Sequence, residues 1–242
     1  LQAELASGRF DQALRTIDAL LSNPPASDQQ RREGLLELRA TCLFELADYP
    51  SCEKTLRKLL ETGKTTTARQ RAALLAQVAR LCSFQQDHNE ANATIQRALQ
   101  LNDRPEIRRV AISIALRARK HEAALPHIEA VLAKLPDDPQ AHHQLGLVQL
   151  RRGEYRLATV SLRRGLEVEA LKKDAGFELA MALRKSGKPE EALPLLIDLL
   201  QDDPTLEPAC YQAARCLLEI GGASQARLSA YLLDYLKTLK NA

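Results

Sequence analysis

Residues 173–204, KDAGFELAMALRKSGKPEEALPLLIDLLQDDP, hold two amphipathic runs with a glycine between them and a proline at the end. In the second run, Ala192, Leu196 and Leu199 follow the i, i+4, i+7 spacing that gathers apolar residues on one face of a helix. Ala180, twelve residues before Ala192, puts a small side chain on the first run, where it lets a second helix backbone come close. Gly187 tolerates the positive φ with which helices commonly end, and Pro204 stops the second run. The stretch reads as a helical hairpin.

The same pattern recurs along the chain. Small residues stand at Ala13, Cys52, Ala91, Ala124, Ala158, Ala192 and Ala226, with gaps of 39, 39, 33, 34, 34 and 34 residues. Four residues after each come Ile17, Leu56, Ile95, Ile128, Leu162, Leu196 and Ala230, and seven after come Leu20, Leu59, Ala98, Val131, Gly165, Leu199 and Leu233. Twelve residues before them lie Leu1, Ala40, Ala79, Ile112, Gly146, Ala180 and Ala214. Gly8, Gly153, Gly187 and Gly221 mark the turns five residues ahead, a place held by Arg119 in the fourth unit, and Pro25, Pro136 and Pro204 close their units. Aromatic residues make up only 4% of the 242-residue chain and Trp is absent, which suits helices built from Leu, Ala, Arg, Glu and Gln.

A period of 34 residues resembles the tetratricopeptide repeat, a helix-turn-helix unit. Leu145, Gly146, Tyr155 and Ala158 in one unit, and Leu179, Gly187, Ala192 and Pro204 in the next, match its pattern. The resemblance covers nearly the whole chain. It implies an all-α, right-handed superhelical solenoid of about seven hairpins in a single domain, with units near 1–27, 33–66, 72–104, 105–138, 139–172, 173–206 and 207–240. The chain opens in helical phase without an initiator Met, so it reads as a fragment of a longer protein whose targeting signals lie out of view.

Gly63-Lys64-Thr65 ends like a phosphate-binding loop, but GxxxxGK[ST] would need a glycine at position 58, which is Lys58 inside an amphipathic helical run. No strand enters the loop to aim backbone N–H groups at a phosphate. The segment is instead five extra residues between units, with Gly63 as a helix stop and the threonines as a cap for a helix beginning near Ala68. The other long gap, around Pro24, Pro25 and Ser27, has the same cause, ahead of a helix from about Gln29.

Nothing in the sequence points to catalysis. Adjacent His142 and His143 project about 100° apart on a helix and cannot share a metal, and His121 and His127 also fall on different faces. Cys42, Cys52, Cys82, Cys210 and Cys216 form no CxxC pair and lie inside helices, which fits buried free thiols in a reducing compartment such as the cytoplasm. Glu190-Glu191 and Asp202-Asp203 sit at a helix start and a helix end. No cofactor or metal is expected, and no apolar run is long enough to span a membrane.

By the same resemblance, the second, fifth, ninth and thirteenth residues of each first helix line a concave groove. Those offsets select Arg80, Phe84, Arg109, Arg117, His143, Arg151, Phe177, Lys185, Tyr211 and Arg215, with Glu106, Asp174 and Glu219 as interrupting acids. The five residues with which one branch of the family grips a C-terminal carboxylate become Ala76, Arg80, Val110, Gln140 and Gln144, so that clamp is missing. The expected function is a non-enzymatic scaffold or adaptor that takes a partner protein or extended acidic peptide in the groove. Two alternatives are an anionic-polymer binder, which the net charge of only +3 disfavours for nucleic acid, and a regulatory arm of a larger enzyme. On the last helix, Leu228, Tyr231, Leu232, Tyr235 and Leu239 form an apolar stripe suited to self-association.

Overall fold

The computed structural model describes residues 5–22, 29–63, 67–167 and 172–240. Among them there are thirteen helices and no strand. They are α1 (Phe10–Ser22), α2 (Gln29–Glu45), α3 (Tyr49–Thr62), α4 (Ala68–Phe84), α5 (His88–Leu101), α6 (Pro105–Arg117), α7 (His121–Lys134), α8 (Pro139–Arg151), α9 (Tyr155–Gly165), α10 (Lys172–Lys185), α11 (Pro189–Asp202), α12 (Glu207–Ile220) and α13 (Ala223–Lys240). The chain divides into two compact units, Leu1–His127 and Ile128–Ala242.

Local sequence starts these helices by ordinary chemistry. Asp48, Asp87 and Asp138 accept hydrogen bonds from the N–H groups of Ser51, Glu90 and Ala141, satisfying donors that a helix start leaves open. Thr67 and Gln70 form a reciprocal capping box at α4. Prolines occupy the first turn of α3, α6, α8, α11 and α12, where no intrahelical N–H is needed.

In the first unit, α2 packs on α3, α3 on α4, α4 on α5, and α6 on both α4 and α5. In the second, α8 packs on α9, α9 on α10, α10 on α11, α11 on α12 and α12 on α13, with α10 also touching α8 and α12. Among the described residues these packed pairs are near neighbours in sequence, the packing of a helical solenoid. Ala13, Cys52, Ala91, Ala124, Ala158 and Ala192 are all buried, as are Ile17, Leu56, Ile95, Ile128, Leu162 and Leu196. Gly146 and Gly165 mark the tightest fit. A Cβ on Gly146 would stand 2.5 Å from Leu162 Cγ, and one on Gly165 would stand 2.8 Å from His143 Cβ.

Three expectations need correction. The seventh small-residue position is not buried at Ala226, which is exposed; Ser229 takes its place, fully buried and donating to the Ala214 carbonyl at 3.0 Å. A second positive-φ residue, Gly222, follows Gly221 here, and although α13 begins two residues after Gly221, as the other second helices do after their turn residues, its buried position falls three residues further on. At the other end, Leu20 is 36% exposed, while Leu21 packs against the core beside Ile17. The 39-residue gaps do not put all their extra length in loops: α2 and α4 have 17 residues, against 13 or 14 in the other first helices. No proline interrupts those sequences, so the helix takes up about one more turn. Gly63 caps α3 with an extended φ of −69°, so its glycine freedom is not used. Lys64, Thr65 and Thr66, like Leu1, Pro24, Pro25 and Ser27, lie outside the described residues.

The turn position is more regular than the sequence suggests. Ala47, Gln86 and Arg119 adopt φ of 58°, 66° and 57° at the places where Gly8, Gly153, Gly187 and Gly221 have 71° to 84°. A side chain in this left-handed region costs about 1–2 kcal/mol, partly offset by the greater unfolded-state entropy of glycine. Ala47→Gly, Gln86→Gly and Arg119→Gly are each expected to raise stability by about 0.5 kcal/mol. Gly187→Ala should lower it by about 1 kcal/mol. Urea unfolding midpoints check both signs.

Candidate functional site

At the C-terminal ends of α2 and α4 and the start of α3, all in the first unit, three aromatic rings form one cluster, beside the C-terminal end of α6. Tyr49 and Phe84 stack with centroids 5.4 Å apart and planes 13° from parallel, while Phe44 meets Tyr49 at 5.8 Å and Phe84 edge-on at 6.2 Å. Two arginines lie on this cluster. The Arg80 guanidinium sits 4.8 Å from the Phe44 centroid, and that of Arg117 sits 4.2 Å from the Phe84 centroid. Such contacts are worth about 0.5–1 kcal/mol at exposed sites and leave the N–H edge of the fork open. Neither guanidinium has an ion pair among the described residues.

Beside Arg80 is a cavity of about 340 Å³ between α2 and α4, lined by Ala40, Thr41, Phe44, Glu45, Cys52, Leu56, Gln77, Arg80 and Leu81. Its lining mixes apolar side chains with polar and charged ones. Cys52 is only 2% exposed and donates to the Ala40 carbonyl at 3.1 Å. Burial pushes its thiol up to about 11 despite the nearby Arg80 charge, so it stays protonated and is no nucleophile near neutrality.

Three other arginines of this unit are committed to the fold. Arg39 donates to Asp18 at 2.7 Å and to Thr55 at 2.5 Å. Arg57 binds Glu53 and Glu90, and Arg108 forms a bidentate pair with Asp103 while approaching His127 at 3.2 Å. Burial, with the Arg108 charge second, lowers the His127 pKa. Arg109 is half-buried on α6, and Glu106 lies 3.5 Å from Arg104.

In the second unit the expected groove residues have differing fates. His143 is buried and lies 2.6 Å from Glu178, because the missing Cβ of Gly165 lets α9 press on its backbone. His142 is also buried, 2.7 Å from the Pro136 carbonyl. Arg151 is exposed, and Lys185 Nζ lies 5.3 Å from the Tyr155 centroid. Phe177 is half-buried against the core, whereas Tyr211 is 44% exposed and accepts from Arg215 at 3.4 Å. Arg215 also reaches Glu219, which Arg184 binds at 2.5 Å, and Asp174 is exposed. On α13, Leu228 and Tyr231 are 55% and 70% exposed, Leu232 packs inward and Tyr235 is half-buried; the Leu239 side chain lies outside the described residues.

Phe44 and Tyr49 are the site residues that the offsets missed. A signal for the tyrosine was present: Tyr49 and Tyr155 both stand three residues before their small markers, and each receives the residue seven before the next marker, Phe84 or Lys185. Among the described residues no group of three or more His, Cys, Asp or Glu could hold a metal, and no helix is long and apolar enough to cross a membrane.

Models of the tetratricopeptide repeat match residues 110–164 and 183–228. Over those residues the chain carries tetratricopeptide repeats. Solved structures agree on the fold. A tetratricopeptide repeat protein from Parabacteroides merdae is 17% identical, with a TM-score of 0.69 over 85% of this chain and 79% of that one. YrrB, described as a TPR protein with an unusual peptide-binding site, is 21% identical, with a TM-score of 0.64 over 77% and 92%. Pseudomonas aeruginosa pilF is 15% identical, with a TM-score of 0.71 over 88% and 94%. No curated protein matches the chain significantly. Tetratricopeptide repeats form a scaffold fold for protein–protein interaction and are in general not catalytic.

Proposed function

We propose that this chain is a non-enzymatic scaffold that binds an extended acidic segment of a partner protein across the ends of α2, α4 and α6. One observation carries the reading. Arg80 and Arg117 are held on aromatic rings without a carboxylate of their own among the described residues, while Arg39, Arg57, Arg108, Arg163 and Arg184 are satisfied within the fold. An arginine kept for repeat packing would be expected to resemble the second group, and one kept only for solubility would be expected to lie off any ring, as no contact holds it in place. Ring stacking fixes the guanidinium planes in advance, so less side-chain freedom is lost when a carboxylate arrives. In the second unit, taken by itself, Arg151 is exposed and Lys185 lies over Tyr155, whereas Arg215 serves Glu219 and His143 is buried.

Fluorescence anisotropy with labelled ten-residue peptides tests the reading. Peptides carrying Glu and Asp should bind, and versions with Lys in their place should not. The double variant Arg80→Glu, Arg117→Glu should weaken binding by at least about tenfold, since each charge-assisted contact is worth roughly 1.5–3 kcal/mol. Arg163→Glu, on the α9 face, serves as the control and should leave affinity unchanged. Equal affinity for the parent and the double variant refutes the assignment. Preferential binding of a single-stranded oligonucleotide, steeply salt-dependent and indifferent to sequence, would replace it with polyanion binding.

A further inference from the structure

The acidic-segment reading, on which this inference rests, leaves open what distinguishes one acidic segment from another. We infer that the α2/α4 cavity and the two ring-stacked arginines form one composite site, selecting a large apolar side chain followed on the same side of an extended chain by two carboxylates.

The cavity of about 340 Å³ is at the small end of ligand pockets, enough for one bulky side chain and not for a folded element. Phe44, Leu56 and Leu81 give it apolar walls. Its rim carries opposite charges on its two sides, Glu45 from α2 and Arg80 from α4. A carboxylate neighbouring the inserted side chain is therefore repelled from the α2 side and held on the α4 side, towards Phe84 and Arg117. That direction gives the segment its polarity across the helices.

The rings set the spacing. Steps of 4.8, 6.2 and 4.2 Å, from Arg80 to Phe44, Phe44 to Phe84 and Phe84 to Arg117, limit the two guanidinium carbons to a separation of about 15 Å. An extended chain advances about 3.3 Å per residue and presents every second side chain to the same side. Two carboxylates on one side can thus meet both arginines when they are two or four residues apart. Six apart overshoots, and odd spacings turn one of them away. The apolar residue falls two positions before the first acid.

The helix ends explain why both arginines are needed. Phe84 and Arg117 close α4 and α6, whose C-termini carry partial negative charge. Without the guanidinium groups this edge would repel an acidic segment.

The test uses labelled peptides in a Gly/Ser background, made in both chain directions, with one Leu and two Glu. Peptides with Glu two and four, or two and six, residues from Leu should bind at least about tenfold tighter than peptides of equal composition with odd spacings. Leu→Ser should remove the advantage. Thr41→Trp alters an exposed rim residue and fills the cavity mouth, so it should abolish the preference for Leu while leaving acid binding intact. Equal affinity for all spacings, or for the peptide lacking Leu, overturns the composite site. If that equal binding is still lost in Arg80→Glu, Arg117→Glu, the broader reading stands without it. Failure of every acidic peptide to bind overturns both.

Discussion

Gly146→Ala is expected to cost about 1–3 kcal/mol, the usual range for overpacking a filled core. In an open helix the same change would gain up to about 1 kcal/mol from lower unfolded-state entropy. The sign reverses because the new Cβ would stand 2.5 Å from Leu162 Cγ and 3.2 Å from the Leu162 backbone nitrogen, and Leu162 is fully buried. Leu162→Ala alone should cost about 2–5 kcal/mol by leaving a cavity. In the double variant the methyl added by Gly146→Ala fills part of that cavity, so the two losses should add to less than their sum by about 1 kcal/mol or more. Gly165→Ala should also destabilise, since its nearest neighbours are His143 Cβ at 2.8 Å and Cα at 3.1 Å, which no rotamer change can move. Gly34→Ala and Gly176→Ala, with nothing within 4 Å, are the controls and should be neutral or stabilising. Urea unfolding of all five single variants decides the matter. A stabilised Gly146→Ala protein would show that α8 and α9 do not approach this closely.

Raising the pH from 9 to 11 should lower stability steeply. Burial moves the thiols of Cys52, Cys82 and Cys216 from an ordinary value of 9.0 up to about 11, and raises Cys42 and Cys210 in the same direction. A group whose folded pKa lies above its unfolded value favours the fold fully below the unfolded pKa. That advantage disappears as pH climbs to the folded one, because the unfolded chain sheds the proton first. A rise of this size is worth about 2–3 kcal/mol per thiol. The urea midpoint should therefore fall between pH 9 and 11. A variant with Cys52→Ala, Cys82→Ala and Cys216→Ala should start lower and slope less. At pH 8 the five buried thiols should react slowly with a disulfide reagent in the native protein and rapidly in urea. Fast reaction of the native protein would contradict the burial.

The repeat was legible because each hairpin must bury the same face against its neighbour. Small residues from Ala13 to Ala192 fall in register and are buried. Counting fails at Ala226, where a second positive-φ glycine, Gly222, leads into a helix that starts at the usual distance from Gly221 but buries Ser229 instead. Turn geometry was half legible: glycine announces a left-handed residue, whereas Ala47, Gln86 and Arg119 adopt that region with no residue type to announce it. At the candidate site, offsets on a single helix find Arg80, Phe84 and Arg117. They do not show that Phe44 and Tyr49 complete the ring cluster, since the contacts of these two with Phe84 and Arg80 join residues of adjacent repeats. The same limit explains His143, whose offset faces the groove but whose backbone is pressed by α9 at Gly165.

Arginine side-chain NMR during titration with an acidic, Leu-containing peptide tests the binding surface most directly. The Nε–Hε signals of Arg80 and Arg117 should shift together and saturate at one affinity, with Arg57 and Arg163 unmoved. Shifts confined to Arg57, Arg163 or residues of α13, with Arg80 and Arg117 unchanged, would contradict the assignment of the peptide to the ends of α2, α4 and α6.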